Sequence, residues 1–220
     1  MNRILKNVAR QFANTCVLLL PLLTSSGPLM GQTLKITEPK DGAVVYAGQM
    51  MTVVVEASPE SAFRGIVIFG GDAIGVSPVL TGPPYRFSIG IKANARPRRY
   101  TITADGVIGP GKGARSELVN IQVERSDSPL SLTAAPAVLD FREVGDQCPV
   151  AAVGKFADAP RIDLDESSYV RYDSDNPSVA TVTGDGHVTA AGFGSAKITI
   201  EYKGRSIVVP VTVRNPAAGR

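Results

Sequence analysis

The chain has 220 residues, 44% hydrophobic and 20% charged, with a formal net charge of +3. That charge comes from Arg3, Lys6 and Arg10 alone, since the remaining sequence balances 20 basic against 20 acidic residues. The basic balance therefore gives no sign of a nucleic-acid partner, and the absence of Trp rules out the Cys-Trp-Cys core of antibody domains.

The first predicted element is a leader. The three basic residues precede an apolar stretch from Cys16 to Leu23, and small residues follow at Ser25, Ser26, Gly27 and Gly31. This is the order of a secretory signal peptide, assigned to residues 1–31. The apolar stretch falls short of the ~18–20 residues that a membrane-spanning helix needs, and Pro21 interrupts it. Any dealing with the membrane is thus expected only through export. Cys16 lies within the leader, which leaves Cys148 without a disulfide partner as an inert, partly buried thiol.

Residues 33–124 then show about seven short strands. Leu34–Ile36, Val44–Tyr46, Met51–Glu56, Gly65–Phe69, Tyr85–Ile91, Tyr100–Ala104 and Val119–Val123 are apolar or strictly alternating runs. Turns are expected at Asp41-Gly42, Gly70-Gly71-Asp72, Gly82-Pro83-Pro84 and Asp105-Gly106. The alternation places Tyr85, Phe87 and Tyr100 in the core. Gly109-Pro110-Gly111-Lys112-Gly113 lacks the spacing of a phosphate-binding loop and is expected to be a hairpin loop. Arg96, Arg98 and Arg99 form a small basic patch between two strands.

Glu124 closes this unit, and residues 125–129 (RSDSP) make a short polar linker of limited freedom. The next unit spans residues 130–214, and residues 215–220 form a flexible tail. Its richest stretch runs from Tyr172 to Ile200. Asn176-Pro177 starts a turn, because proline fixes φ and restricts the residue before it. Val179 to Val182 suits a pleated, half-buried surface. Gly184-Asp185-Gly186 supplies a tight hairpin, His187-Val188-Thr189 returns as a strand, and Gly192 and Gly194 bracket a second turn. Lys197 to Glu201 alternates with the strand period of two, which turns Ile198 inward.

These residues resemble the bacterial immunoglobulin-like domain of group 2, known from invasin- and intimin-type adhesins. The resemblance is carried by Asn176, Pro177, Val179 and Val182, then Gly186 and Val188, then Gly192, Gly194 and Ile198, and it extends over roughly Leu130 to Val213. The N-terminal unit resembles a looser bacterial Ig-like group through Ile36 to Gly42, Pro83-Pro84-Tyr85 and Tyr100 to Ala104. Together they imply an all-β protein of two tandem immunoglobulin-like β-sandwiches. The implied role is a non-enzymatic, exported structural, adhesion or binding module at the envelope, the cell surface or outside the cell. Its partner would be a protein or a glycan.

Chemistry-bearing residues are sparse. His187 is the single histidine, so no His-rich metal site can form, and no G-x-S-x-G nucleophile elbow occurs. No cofactor is expected. Asp163 and Asp165 in one loop, with Asp173 and Asp175 in another, are weak calcium candidates if both loops converge. The competing reading is a solvated acidic edge that discourages strand pairing. A carbohydrate-binding accessory module is the functional alternative, with Tyr46 and Tyr172 as stacking candidates.

Overall fold

The computed structural model describes residues 32–215. The expected leader, with Cys16, and residues 216–220 of the expected tail lie outside the described residues. The N-terminal half follows its alternation closely. Its strands are β1 (Thr33–Glu38), β2 (Ala43–Tyr46), β3 (Met50–Ser58), β4 (Gly65–Phe69), β5 (Arg86–Gly90), β6 (Arg98–Gly109), β7 (Lys112–Arg115) and β8 (Val119–Glu124). One antiparallel sheet has the order β1-β3-β5, and the other runs β2-β8-β6-β4 with β7 paired to the far half of β6. The apolar faces of the two sheets meet in a core that includes Val53, Ile66, Ile68, Ile102 and Ile121. Tyr85, Phe87 and Tyr100 are buried in it, as their alternation requires.

One expected turn is a strand. Asp105-Gly106 does not reverse the chain but continues β6, paired with β4 on one side and β7 on the other. A side chain at Gly106 would collide with Phe63, because an ideal Cβ there lies 2.5 Å from the ring. The glycine serves close packing rather than chain reversal. The reversal comes later, at Pro110-Gly111.

The C-terminal half is built from β9 (Ser131–Ala135), β10 (Leu139–Phe141), β11 (Gln147–Pro149), β12 (Ala151–Lys155), β13 (Ile162–Asp163), β14 (Val170–Ser174), β15 (Ala180–Val182), β16 (His187–Ala190), β17 (Gly194–Tyr202) and β18 (Arg205–Val213). Their pairing orders are β10-β18-β17-β14, β13-β12-β9 and β11-β16-β15. Ile198, Ile200 and Tyr202 project from alternate positions of β17 and are fully buried with Leu164 and Val209. Asn176 behaves as a turn former: its carbonyl accepts from the Val179 and Ala180 amides at 3.0 and 3.1 Å. Its side-chain oxygen also accepts from the Ser178 hydroxyl at 2.6 Å. Val182 then pairs with Val188 across the hairpin closed by Gly186. The protein is all-β, with two immunoglobulin-like sandwiches in tandem, and each half has its own buried cluster.

Candidate functional site: the joint between the sandwiches

The densest arrangement of buried polar groups lies where the two halves meet. β8 ends at Glu124, whose residue is fully buried. Its carboxylate accepts four hydrogen bonds. The Ser167 hydroxyl donates at 2.6 Å, the Ser168 amide at 2.7 Å, the Ser168 hydroxyl at 2.8 Å and the Gln122 amide at 3.0 Å. Three of the four donors come from the C-terminal sandwich. Gln122 also donates across the joint to the Glu166 carbonyl at 3.1 Å. Removing an ion from water is costly unless its lone pairs are filled, and this cluster of donors meets that need.

Arg125 follows immediately, with only 6% of its side chain exposed. Its guanidinium grips both oxygens of Asp127 at 2.8 and 2.9 Å and reaches Asp158 at 2.6 Å. A further N–H donates back to the Ala93 carbonyl of the N-terminal sandwich at 2.8 Å. The charged plane lies 4.2 Å from the centroid of the Phe156 ring. Phe156 in turn makes an edge-on contact with Tyr202, at a centroid distance of 6.5 Å. Arg125 therefore closes one end of the C-terminal core, using the planar shape that lets arginine stack on an aromatic while bonding in its plane. The hydrogen bond from Arg125 holds the Asp127 carboxyl below the ordinary aspartate range.

The rest of the expected linker is pinned as well. The Lys203 ammonium donates to the Arg125 carbonyl and lies 4.6 Å from the centre of the Tyr169 ring. The Tyr169 phenol is pushed up chiefly by its hydrogen bond with Tyr46 of the N-terminal sandwich. Ser128 donates to the Lys203 carbonyl at 3.2 Å, and Arg205 donates to the Pro129 carbonyl at 3.3 Å.

Two clusters that the sequence presented separately meet at this joint. Arg96 of the basic patch forms an ion pair with Asp163 at 3.0 Å, and Arg161 approaches the same carboxylate at 3.3 Å. Arg98 is engaged elsewhere, bonding Asp72 at 3.0 Å and lying over Tyr100. The other calcium candidates have separate tasks. Asp165 accepts from the Ala152 amide at 2.7 Å, and burial pushes its carboxyl up. Asp175 accepts from the Lys197 amide at 2.7 Å, while Asp173 pairs within the β14–β17 ladder. Among the described residues, no group of three or more His, Cys, Asp and Glu side chains is placed to hold a metal ion. Positive charge at the joint comes from the Arg96, Arg125 and Arg161 guanidinium groups and the Lys203 ammonium instead.

The remaining candidates are simpler. His187 is exposed beside Asp185, 3.3 Å from its carboxylate, while Val188 points fully inward. Cys148 is a free, half-buried thiol on β11. Of the aromatics considered for sugar stacking, Tyr172 is half-buried with its hydroxyl enclosed, and Tyr46 meets Tyr169 at the joint.

Residues 157–213 match the bacterial Ig-like domain (group 2). The match runs from just after β12 to the end of β18, so β9 to β12 complete the sandwich from outside the matched segment. Similar solved structures include the fibronectin(III)-like modules of CbhA from Clostridium thermocellum, at 15% identity, covering 86% of this chain and 97% of that one with a TM-score of 0.37. Domains 4 and 5 of the S-layer protein SbsC are 14% identical, with 84% and 99% covered and a TM-score of 0.35. The D00-D0 domain of intimin is 10% identical, with 83% and 100% covered and a TM-score of 0.31. No curated protein matches the chain.

The joint was poorly signalled by sequence. Glu124 and Arg125 look like ordinary polar residues at a strand end, and only their burial marks them. One signal was available: a strand of strict alternation ends on two consecutive charges, next to a linker too short to swing freely.

Proposed function

We propose that this protein is an exported, non-enzymatic structural or binding module whose two Ig-like sandwiches present a surface to a protein or glycan at the cell envelope or outside the cell. The observation that carries this reading is the group 2 Ig-like segment at 157–213, set in a sandwich that is joined to its neighbour through the pinned segment 125–129. Such sandwiches act by display, holding loops and sheet edges in fixed positions where a partner docks. The stable joint supports a stiff presenting body over a pair of tethered beads. Adhesion is one form of this role. For the carbohydrate-module alternative, Tyr172 is half-buried with its hydroxyl enclosed, and the Tyr46 hydroxyl meets that of Tyr169.

Protease accessibility on intact cells, against lysed cells and culture supernatant, tests the reading. Degradation on intact cells indicates surface display, and protection until lysis indicates an envelope-internal scaffold. Recovery only with the cytoplasmic fraction after gentle removal of the envelope would refute it.

A further inference from the structure

Two folded bodies joined by a few residues normally reorient freely unless an interface holds them. The interface here is polar, buried and concentrated on two consecutive residues, each of which binds both sandwiches. Glu124 belongs to β8 of the first sandwich and is held by Ser167 and Ser168 of the second. Arg125 covers Phe156 and grips Asp158 of the second while donating to Ala93 of the first.

We propose that Glu124 and Arg125 form a latch that makes the two sandwiches a single cooperative and orientationally fixed body. The inference goes beyond the display function and holds whatever the partner is. Its physical basis is the cost of half-opening. A carboxylate buried with four donors is satisfied, and one released to water is hydrated. A joint opened by an ångström or two leaves the charge neither bonded nor hydrated, which is the most unfavourable arrangement. The joint is therefore either closed or open, with little between. Arg125 adds a second dependence: when it leaves, the Phe156–Tyr202 end of the C-terminal core is uncovered. The C-terminal sandwich thus reaches its native stability only with the segment 124–127 seated.

The test uses the full chain, with calorimetry for cooperativity and residual dipolar couplings for orientation. The unmodified protein is expected to show one transition with equal calorimetric and van't Hoff enthalpies, and one alignment tensor for both sandwiches. Glu124→Gln keeps the volume but removes the charge and puts an NH2 group in place of one of the two oxygens that accept the four hydrogen bonds. It is expected to split the transition in two and to separate the alignment tensors. Asp140→Asn, which removes the distant ion pair with Arg214, serves as the control and should leave both readouts unchanged. Two transitions in the unmodified protein, or a single transition with one tensor in Glu124→Gln, would overturn the proposal. Should Glu124→Gln fail to fold, Ser168→Ala decides by hydrogen exchange. Amides at the joint, including residue 168, should lose about tenfold or more of their protection while the Ile198 amide keeps its own. Unchanged protection at residue 168 would count against the latch.

Discussion

Gly184 and Gly186 flank the same aspartate in one hairpin, yet the structure gives them opposite tolerance to substitution. Gly186 has φ +83°, and a Cβ built on it would lie 2.5 Å from the Val150 carbonyl oxygen and 2.9 Å from the Tyr172 ring. Placing an L-residue in the left-handed region costs about 1–2 kcal/mol. Forcing a methyl group against the backbone oxygen of a residue whose amide is bonded to the Gly186 carbonyl adds about 1–3 kcal/mol. Gly186→Ala is therefore expected to destabilise by about 2–5 kcal/mol, a fall of about 4–20 °C in Tm for a chain of this size. Gly184 has open space around its Cβ position and no left-handed φ. Gly184→Ala should be neutral or stabilising by less than about 1 kcal/mol, since alanine reduces the freedom of the unfolded chain. Parallel thermal and urea melts followed by far-UV circular dichroism measure both. A Gly186→Ala midpoint within about 2 °C of the parent, or an equal loss in Gly184→Ala, would refute the steric argument.

Ile198 is fully buried on β17, and Ile198→Ala should cost about 2–5 kcal/mol in urea unfolding. Val208, on neighbouring β18 but 48% exposed, should lose less than about 1 kcal/mol on the same truncation. Asp165 and Asp127 should titrate with opposite sign. Asp165 is pushed up by burial, so the folded protein retains a proton that the unfolded chain has released, and stability falls as pH rises from the ordinary value of 3.8 through the raised one. Asp165→Asn keeps an acceptor for the Ala152 amide and should gain on the parent across that window in melts taken from pH 3 to 7. Asp127 is held down by Arg125, so its contribution is complete above 3.8 and is lost as pH falls through the lowered value; Asp127→Asn should remove this acid-side loss. Thermal melts with calcium and with EDTA should superimpose, and a calcium-dependent rise in Tm would restore a metal role for Asp163, Asp165, Asp173 and Asp175.

Local pattern was enough for most of the strands. The alternation in Lys197–Glu201 is a backbone property, so it placed Ile198 and Ile200 inward without any knowledge of their neighbours. The same logic buried Tyr85, Phe87 and Tyr100. It failed at Asp105-Gly106, where turn-forming residues lie in mid-strand. Pairing on both sides of β6, together with the Phe63 ring over the glycine, outweighs their local preference. The short strands between Ser131 and Lys155 carried too little periodicity to be marked out.

What the sequence determined by itself was the strand period, the turn at Asn176-Pro177 and the all-β class, because each depends on residues adjacent along the chain. Only the tertiary structure decided which charges meet. The pairing of Arg96 with Asp163 and the gathering of Ser167 and Ser168 around Glu124 join residues more than 40 positions apart in sequence. Local preference has no access to such distances. The same short polar segment is a loose tether or a latch according to what the two folded sandwiches place around it.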